Sequence, residues 1–163
     1  MSKFFLFFFI ALTTIPSAFS GLGDELAKAF FQKKVDGLYE KALQCSPLEK
    51  DAKFKIDVRD WIKIQPPLPE WQKLTAIEDT AKAARDYARS VGGRDKVLHC
   101  LAGCYIAKKL DYTSAVLVGW YKELADASDC SKTTSFEKKD YDATVIGARA
   151  GEEKKVCDRF CKK

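Results

Sequence analysis

Histidine is almost absent from this chain, with one in 163 residues, and methionine is equally scarce. A Ser/His/Asp or Cys/His nucleophilic centre would have to be built on His99 alone, and no supporting motif surrounds it. A glycine-rich phosphate loop is also lacking, since the pair Gly92-Gly93 reads as a helix stop. Charge of one sign never gathers into a block. The net charge of +5 is too mild and too scattered for a nucleic-acid surface. Lys108-Lys109, Lys154-Lys155 and Lys162-Lys163 read as solvated faces. Beyond residue 20 no long apolar run occurs, so no transmembrane segment is expected there. Low complexity is missing too, because 47% hydrophobic and 31% charged residues describe a chain that folds around a core.

What is present begins with an address. Lys3, the apolar run Phe4 to Leu12, the break at Pro16 and the small residues Ala18 and Ser20 read as a signal peptide over residues 1–20. Cleavage before Gly21 would leave 163 − 20 = 143 residues and a charge of 27 − 23 = +4. The expected product is secreted or periplasmic.

Residues 21–163 are expected to form one helical domain. An N-terminal helix and extended arm (21–69) would precede a core bundle (70–163). Phe31, Val35, Leu38 and Ala42 recur at helical steps over Asp24 to Leu43, and Cys45-Ser-Pro47 closes that helix. Phe54, Ile56 and Val58 alternate with charged residues, which predicts a short strand or extended arm. Gln65-Pro-Pro-Leu-Pro69 is a rigid connector. Leu74, Ile77, Ala81, Ala84, Ala88 and Val91 mark a second helix, stopped by Gly92-Gly93. Further helices are expected over Asp95 to Leu110, Ser114 to Ala127, and from the Thr134-x-x-Glu137 capping box to Ala150. A short element over Glu152 to Cys161 ends the chain. The fold class expected is all-α: a compact, disulfide-stapled bundle of about five helices.

All six cysteines lie beyond the leader, and an even count in an exported chain is a disulfide framework. Cys100/Cys104 and Cys157/Cys161 are each i and i+4, so each pair shares a helical face. If the two helices run antiparallel, Cys100 meets Cys161 and Cys104 meets Cys157, leaving Cys45 for Cys130. Fifteen connectivities are open to six cysteines. The rival is a four-cysteine zinc site, whose knuckle spacing is usually shorter.

Asp95 and His99 are four apart and share a face of the Asp95 to Leu110 helix. Projection at 100° per residue sets His99 between Ala102 and Ile106, on the apolar side. Lys122-Glu123-x-x-Asp126 follows on the next helix, with Glu123 flanking the stripe of Val116, Trp120 and Ala127. On the helix after that, Asp140, Ala143, Thr144, Gly147 and Gly151 share one side. Such small residues let another helix's backbone approach closely, and Asp140 stands at the head of the stripe. Asp95, His99, Glu123, Asp126 and Asp140 are therefore the candidate polar constellation. It is either a site for a metal, ion or polar ligand, or a satisfied buried network that sets helix register.

In order and spacing, Asp95-Lys96-x-x-His99, Lys122-Glu123-x-x-Asp126 and Asp140-x-x-Ala143 with Gly147 resemble the core of the serum amyloid A family. A similar order occurs in small bacterial envelope proteins with an Asp-Lys-x-x-His motif. The resemblance covers about residues 93–151 and departs at Thr144, where the amyloid A pattern has asparagine. It implies an all-helical fold whose signature residues pin helix ends, and it implies binding of lipid or apolar ligands, or an envelope role. The functional expectation is a non-enzymatic binding or envelope-associated module without a cofactor, whose partner is a lipid, an apolar ligand or an envelope protein. The alternative is a metal- or carboxylate-dependent hydrolase using His99, Glu123, Asp126 and Asp140, with a divalent metal.

Overall fold

The computed structural model describes residues 20–44, 51–129 and 136–162. The leader through residue 19, the Cys45–Cys130 pairing and the Thr134 cap lie outside them. Seven helices occur among the described residues, with no strand. They are α1 (Ser20–Gln44), α2 (Asp51–Lys63), α3 (Trp71–Val91), α4 (Asp95–Lys109), α5 (Tyr112–Ser128), α6 (Lys138–Glu152) and α7 (Cys157–Cys161). The all-α, disulfide-stapled bundle is thus the observed architecture.

The expected strand or extended arm around Phe54 to Val58 is a correction, because the chain there is α2. Three alternating residues are too short a window to separate the two periods. Val58 and Trp61, three apart, are both buried and share one helical face. Val58 packs with Ala42 and Ala127, and Trp61 packs with Val35, Leu117, Trp120 and Leu124. Burial of that face decides in favour of the helix. The two indoles lock α2 to α5 reciprocally. Trp61 Nε1 donates to the Trp120 carbonyl at 3.2 Å, and Trp120 Nε1 donates to the Trp61 carbonyl at 3.0 Å. Phe136 and Tyr141 meet the Trp61 ring edge-on, each at 4.9 Å between centroids.

Pro66 and Pro69 are buried in the connector that leads to α3. Gly92, at φ +72°, and Gly93, at φ +140°, end α3 in backbone conformations that a side chain would strain. Ala84 of α3 packs with Ile106 and Ala107 of α4, and Ala88 packs with Leu101 and Cys104. Asp111 caps α5 by accepting the Ser114 N–H at 2.7 Å, and its other oxygen pairs with Lys73 at 2.8 Å.

The closest helix pair is α4 with α6, and small residues make it possible. A Cβ on Gly103 would overlap the Thr144 carbonyl, one on Gly147 the Cys100 carbonyl, and one on Gly151 the Cys104 carbonyl. The two backbones therefore touch directly, as the small-residue stripe of α6 predicts. The outer side of α4 carries the staples. Cys100 bonds Cys161 and Cys104 bonds Cys157, each with Cα atoms 5.7 Å apart, so α7 runs antiparallel to α4. This is the pairing expected from the two i, i+4 spacings.

Candidate functional site: a polar clasp where α4 and α6 begin

The first turns of α4 and α6 lie side by side at the head of the glycine crossing. His99 faces inward, with 12% of its side chain exposed, as its position between Ala102 and Ile106 requires. Its Nε2 lies 3.7 Å from Asp95 Oδ1 and 3.5 Å from Asp140 Oδ2. Asp140 is buried near the start of α6, while Asp95 stands at the solvent edge. Asp95, His99 and Asp140 each place one donor atom within 4.8 Å of the other two.

Lys96 supplies the charge these acids need. Its Nζ contacts Asp140 Oδ1 directly, Glu137 Oε2 at 2.7 Å and Asp95 Oδ2 at 3.4 Å. The hydrogen bonds to Asp140 and Glu137 push its ammonium well above the ordinary lysine range. Burial pulls His99 below its usual value, and the nearby Lys122 charge adds to this while Asp140 and Asp95 oppose it. The imidazole is therefore neutral at pH 7.

Glu123 and Asp126 do not join this group. The Glu123 side chain is fully buried on α5, where Oε2 accepts the backbone N–H of Glu137 at 2.9 Å. Glu137 is the residue at which α6 begins, so an acid from a neighbouring helix satisfies one of its free donors. Lys122 Nζ lies 3.3 Å from Glu123 Oε1 and 2.6 Å from Asp126 Oδ2. Burial raises Glu123 to about 7, against the opposing pull of the Glu137 N–H and the Lys122 charge. Lys122 is itself raised. Burial works against its charge, but the Asp126 hydrogen bond and the two carboxylates outweigh that.

The five residues expected to converge thus fall into two groups, Asp95/His99/Asp140 and Glu123/Asp126. A four-residue centre of His99, Glu123, Asp126 and Asp140 is not assembled. Glu137 joins the groups, giving its carboxylate to Lys96 and its N–H to Glu123. Sequence reasoning missed Lys96, Lys122 and Glu137 as members. The signal was there for Lys122, which stands four residues before Asp126, an i, i+4 ion-pair spacing. Lys96 stands in the Asp95-Lys96-x-x-His99 motif and Glu137 in the Thr134-x-x-Glu137 capping box, but nothing local shows that the two meet across the α4–α6 contact.

A groove of about 350 Å3 opens elsewhere, lined by Tyr87, Tyr105, Lys108, Lys109, Val156 and Cys157. None of the clasp residues reaches it. The rings of Tyr87 and Tyr105 lie 5.2 Å apart, and Lys109 Nζ stands 5.9 Å from the centre of Tyr105. Among the described residues no helix is long and apolar enough to cross a membrane. No family model, curated protein or solved structure matches the chain.

Proposed function

We propose that this chain is an exported, non-enzymatic helical binding module whose polar interior is a clasp on helix ends. The observation that carries the reading is the allocation of charge inside the clasp. Asp140 is held by Lys96, Glu123 by the Glu137 N–H and Lys122, and Asp126 by Lys122. An acid or base serving catalysis would instead face a concave space where substrate can sit. Two intramolecular disulfides support an oxidising compartment, and the leader over residues 1–20 supports export.

The groove is where a ligand belongs on this reading. Its tyrosine rings suit an apolar body, and Lys108 and Lys109, which have no ion pair among the described residues, suit an anionic head. That chemistry is shared by fatty acids and anionic lipids, in line with the serum amyloid A resemblance. Of the residues carrying that resemblance, Asp95, Lys96, His99 and Asp140 sit where α4 and α6 begin.

The test is flotation of the oxidised protein with vesicles of anionic or zwitterionic phospholipid. Binding should require the anionic vesicles and fall at least tenfold in the double variant Lys108→Glu, Lys109→Glu. A hydrolytic activity that His99→Ala abolishes while the helical circular-dichroism signal stays intact would overturn the module reading.

A further inference from the structure

We propose that Asp95, His99 and Asp140 form a site for a divalent cation of the zinc class, set into the open edge of the clasp. The site deepens the clasp reading and rests on it: the cation would tie the same two helix starts that Lys96 ties.

The His99 separations are not those of a hydrogen-bonded ion pair. A charge-assisted hydrogen bond from the imidazole to a carboxylate would measure about 2.7–2.9 Å. The observed separations, 3.5 Å to Asp140 and 3.7 Å to Asp95, are too long for that. The 3.5 Å separation is a tetrahedral edge, and the 3.7 Å separation lies just above one. Ligands held at roughly 2.0–2.2 Å from a zinc ion stand about 3.3–3.6 Å apart. The third edge, between the two carboxylates, is within 4.8 Å.

The carboxylate oxygens are divided between two partners. Lys96 takes Oδ1 of Asp140 and Oδ2 of Asp95. The other oxygen of each carboxylate, Oδ2 of Asp140 and Oδ1 of Asp95, is turned to His99 Nε2. One ammonium thus fixes both carboxylates from behind and leaves three donors converging in front. Outer partners of this kind orient metal ligands in general.

The donor chemistry narrows the choice of ion. One imidazole nitrogen with two carboxylate oxygens selects zinc-like ions over calcium or magnesium, which demand six or more oxygens. Asp95, with 64% of its side chain exposed, gives the ion a route in and leaves a fourth position to water.

The experiment is calorimetric titration of the oxidised full chain with Zn2+, alongside Co2+, whose visible absorption reports tetrahedral coordination. One Zn2+ should bind per chain at micromolar concentration or below, while Mg2+ and Ca2+ give no saturable heat. At a hundredfold excess over Kd, Zn2+ should raise the melting temperature by about 5–10 °C. Asp95→Asn lies at the surface and should keep the metal-free melting temperature while weakening Zn2+ at least tenfold. His99→Gln should weaken it similarly. Absence of saturable Zn2+ binding, or equal affinity in Asp95→Asn, overturns the site and leaves the vesicle-binding module untouched. Hydrolysis that appears only with Zn2+ and vanishes in Asp95→Asn would keep the site and overturn the module reading.

Discussion

The α4–α6 pair and the α1–α2–α5 layer are held together by different means. In the first, backbones meet through Gly103, Gly147 and Gly151, and two disulfides back the contact on the outer side of α4. In the second, large side chains mediate, with Trp61 and Trp120 filling the space between helices and Val35 and Leu124 around them. Direct backbone contact leaves no rotamer freedom to absorb a shift, so it sets one crossing and one register. That precision lies where the charged clasp needs it, since Lys96 must reach Asp140 and Glu137 at once. A layer joined by indoles tolerates small displacements.

Trp61→Ala should have the largest effect and fall on one region alone. Truncating a buried tryptophan costs about 3–5 kcal/mol. Hydrogen exchange should show protection lost in α1 and α2 while α4 and α6 keep theirs. Uniform loss across all helices would mean that the two regions are one cooperative unit. Gly147→Ala attacks the other region, because the added methyl overlaps the Cys100 carbonyl of the facing helix. We expect about 3 kcal/mol or more of destabilisation, read by thermal unfolding of the oxidised protein. An unchanged melting temperature would show that α4 and α6 slide apart freely.

Glu123 lies between the regions and tests the polar seam by pH. Its folded value, about 7, stands above the ordinary 4.5, so over that interval the folded state holds a proton the unfolded state has released. This contribution is full below about pH 4.5 and is lost as pH rises through about 7. The swing is at most on the order of 3 kcal/mol. His99, held below its usual value, has the opposite sign and costs stability on acidification through the mid-sixes. Glu123→Gln keeps the acceptor for the Glu137 N–H and removes the titration. The variant's melting temperature minus that of the wild type should therefore climb between pH 4.5 and 7, and a flat difference would refute the assignment. The smallest effect is expected at Gly37, an exposed position of α1 where an added Cβ meets nothing within 4 Å. Gly37→Ala should stabilise by about 0.5–1 kcal/mol, the opposite sign to Gly147→Ala. A loss there would show that the α1 surface is covered.

Much of the scaffold can be read from local spacing. The stripe of Val35, Leu38 and Ala42, the stop at Gly92-Gly93, and the small face of Thr144, Gly147 and Gly151 each need only a few neighbouring residues to declare themselves. The i, i+4 cysteines belong to the same class, because two such pairs on antiparallel helices admit a simple match. The region around Phe54 to Val58 misleads for the opposite reason. Its alternation ends after three apolar residues, and the Val58–Trp61 step that marks the helix extends past that window. For the site, the sequence sets His99 inward and names Asp95 and Asp140, which lie beside it in the fold. It cannot separate Glu123 from His99, since both belong to buried faces of successive helices.

Periodicity is local: the order of residues states which faces of each helix are apolar, where helices stop, and which cysteines share a face. These follow from steric and burial rules acting within a turn or two of the chain. Charge is shared across helices, with Lys96 among Asp95, Asp140 and Glu137, and Glu123 on the Glu137 N–H instead of His99. The physical reason is range. A contact between side chains 41 or 44 positions apart in the chain depends on the tilt and sliding of two helices, which the meeting of Gly103, Gly147 and Gly151 with the facing backbone fixes.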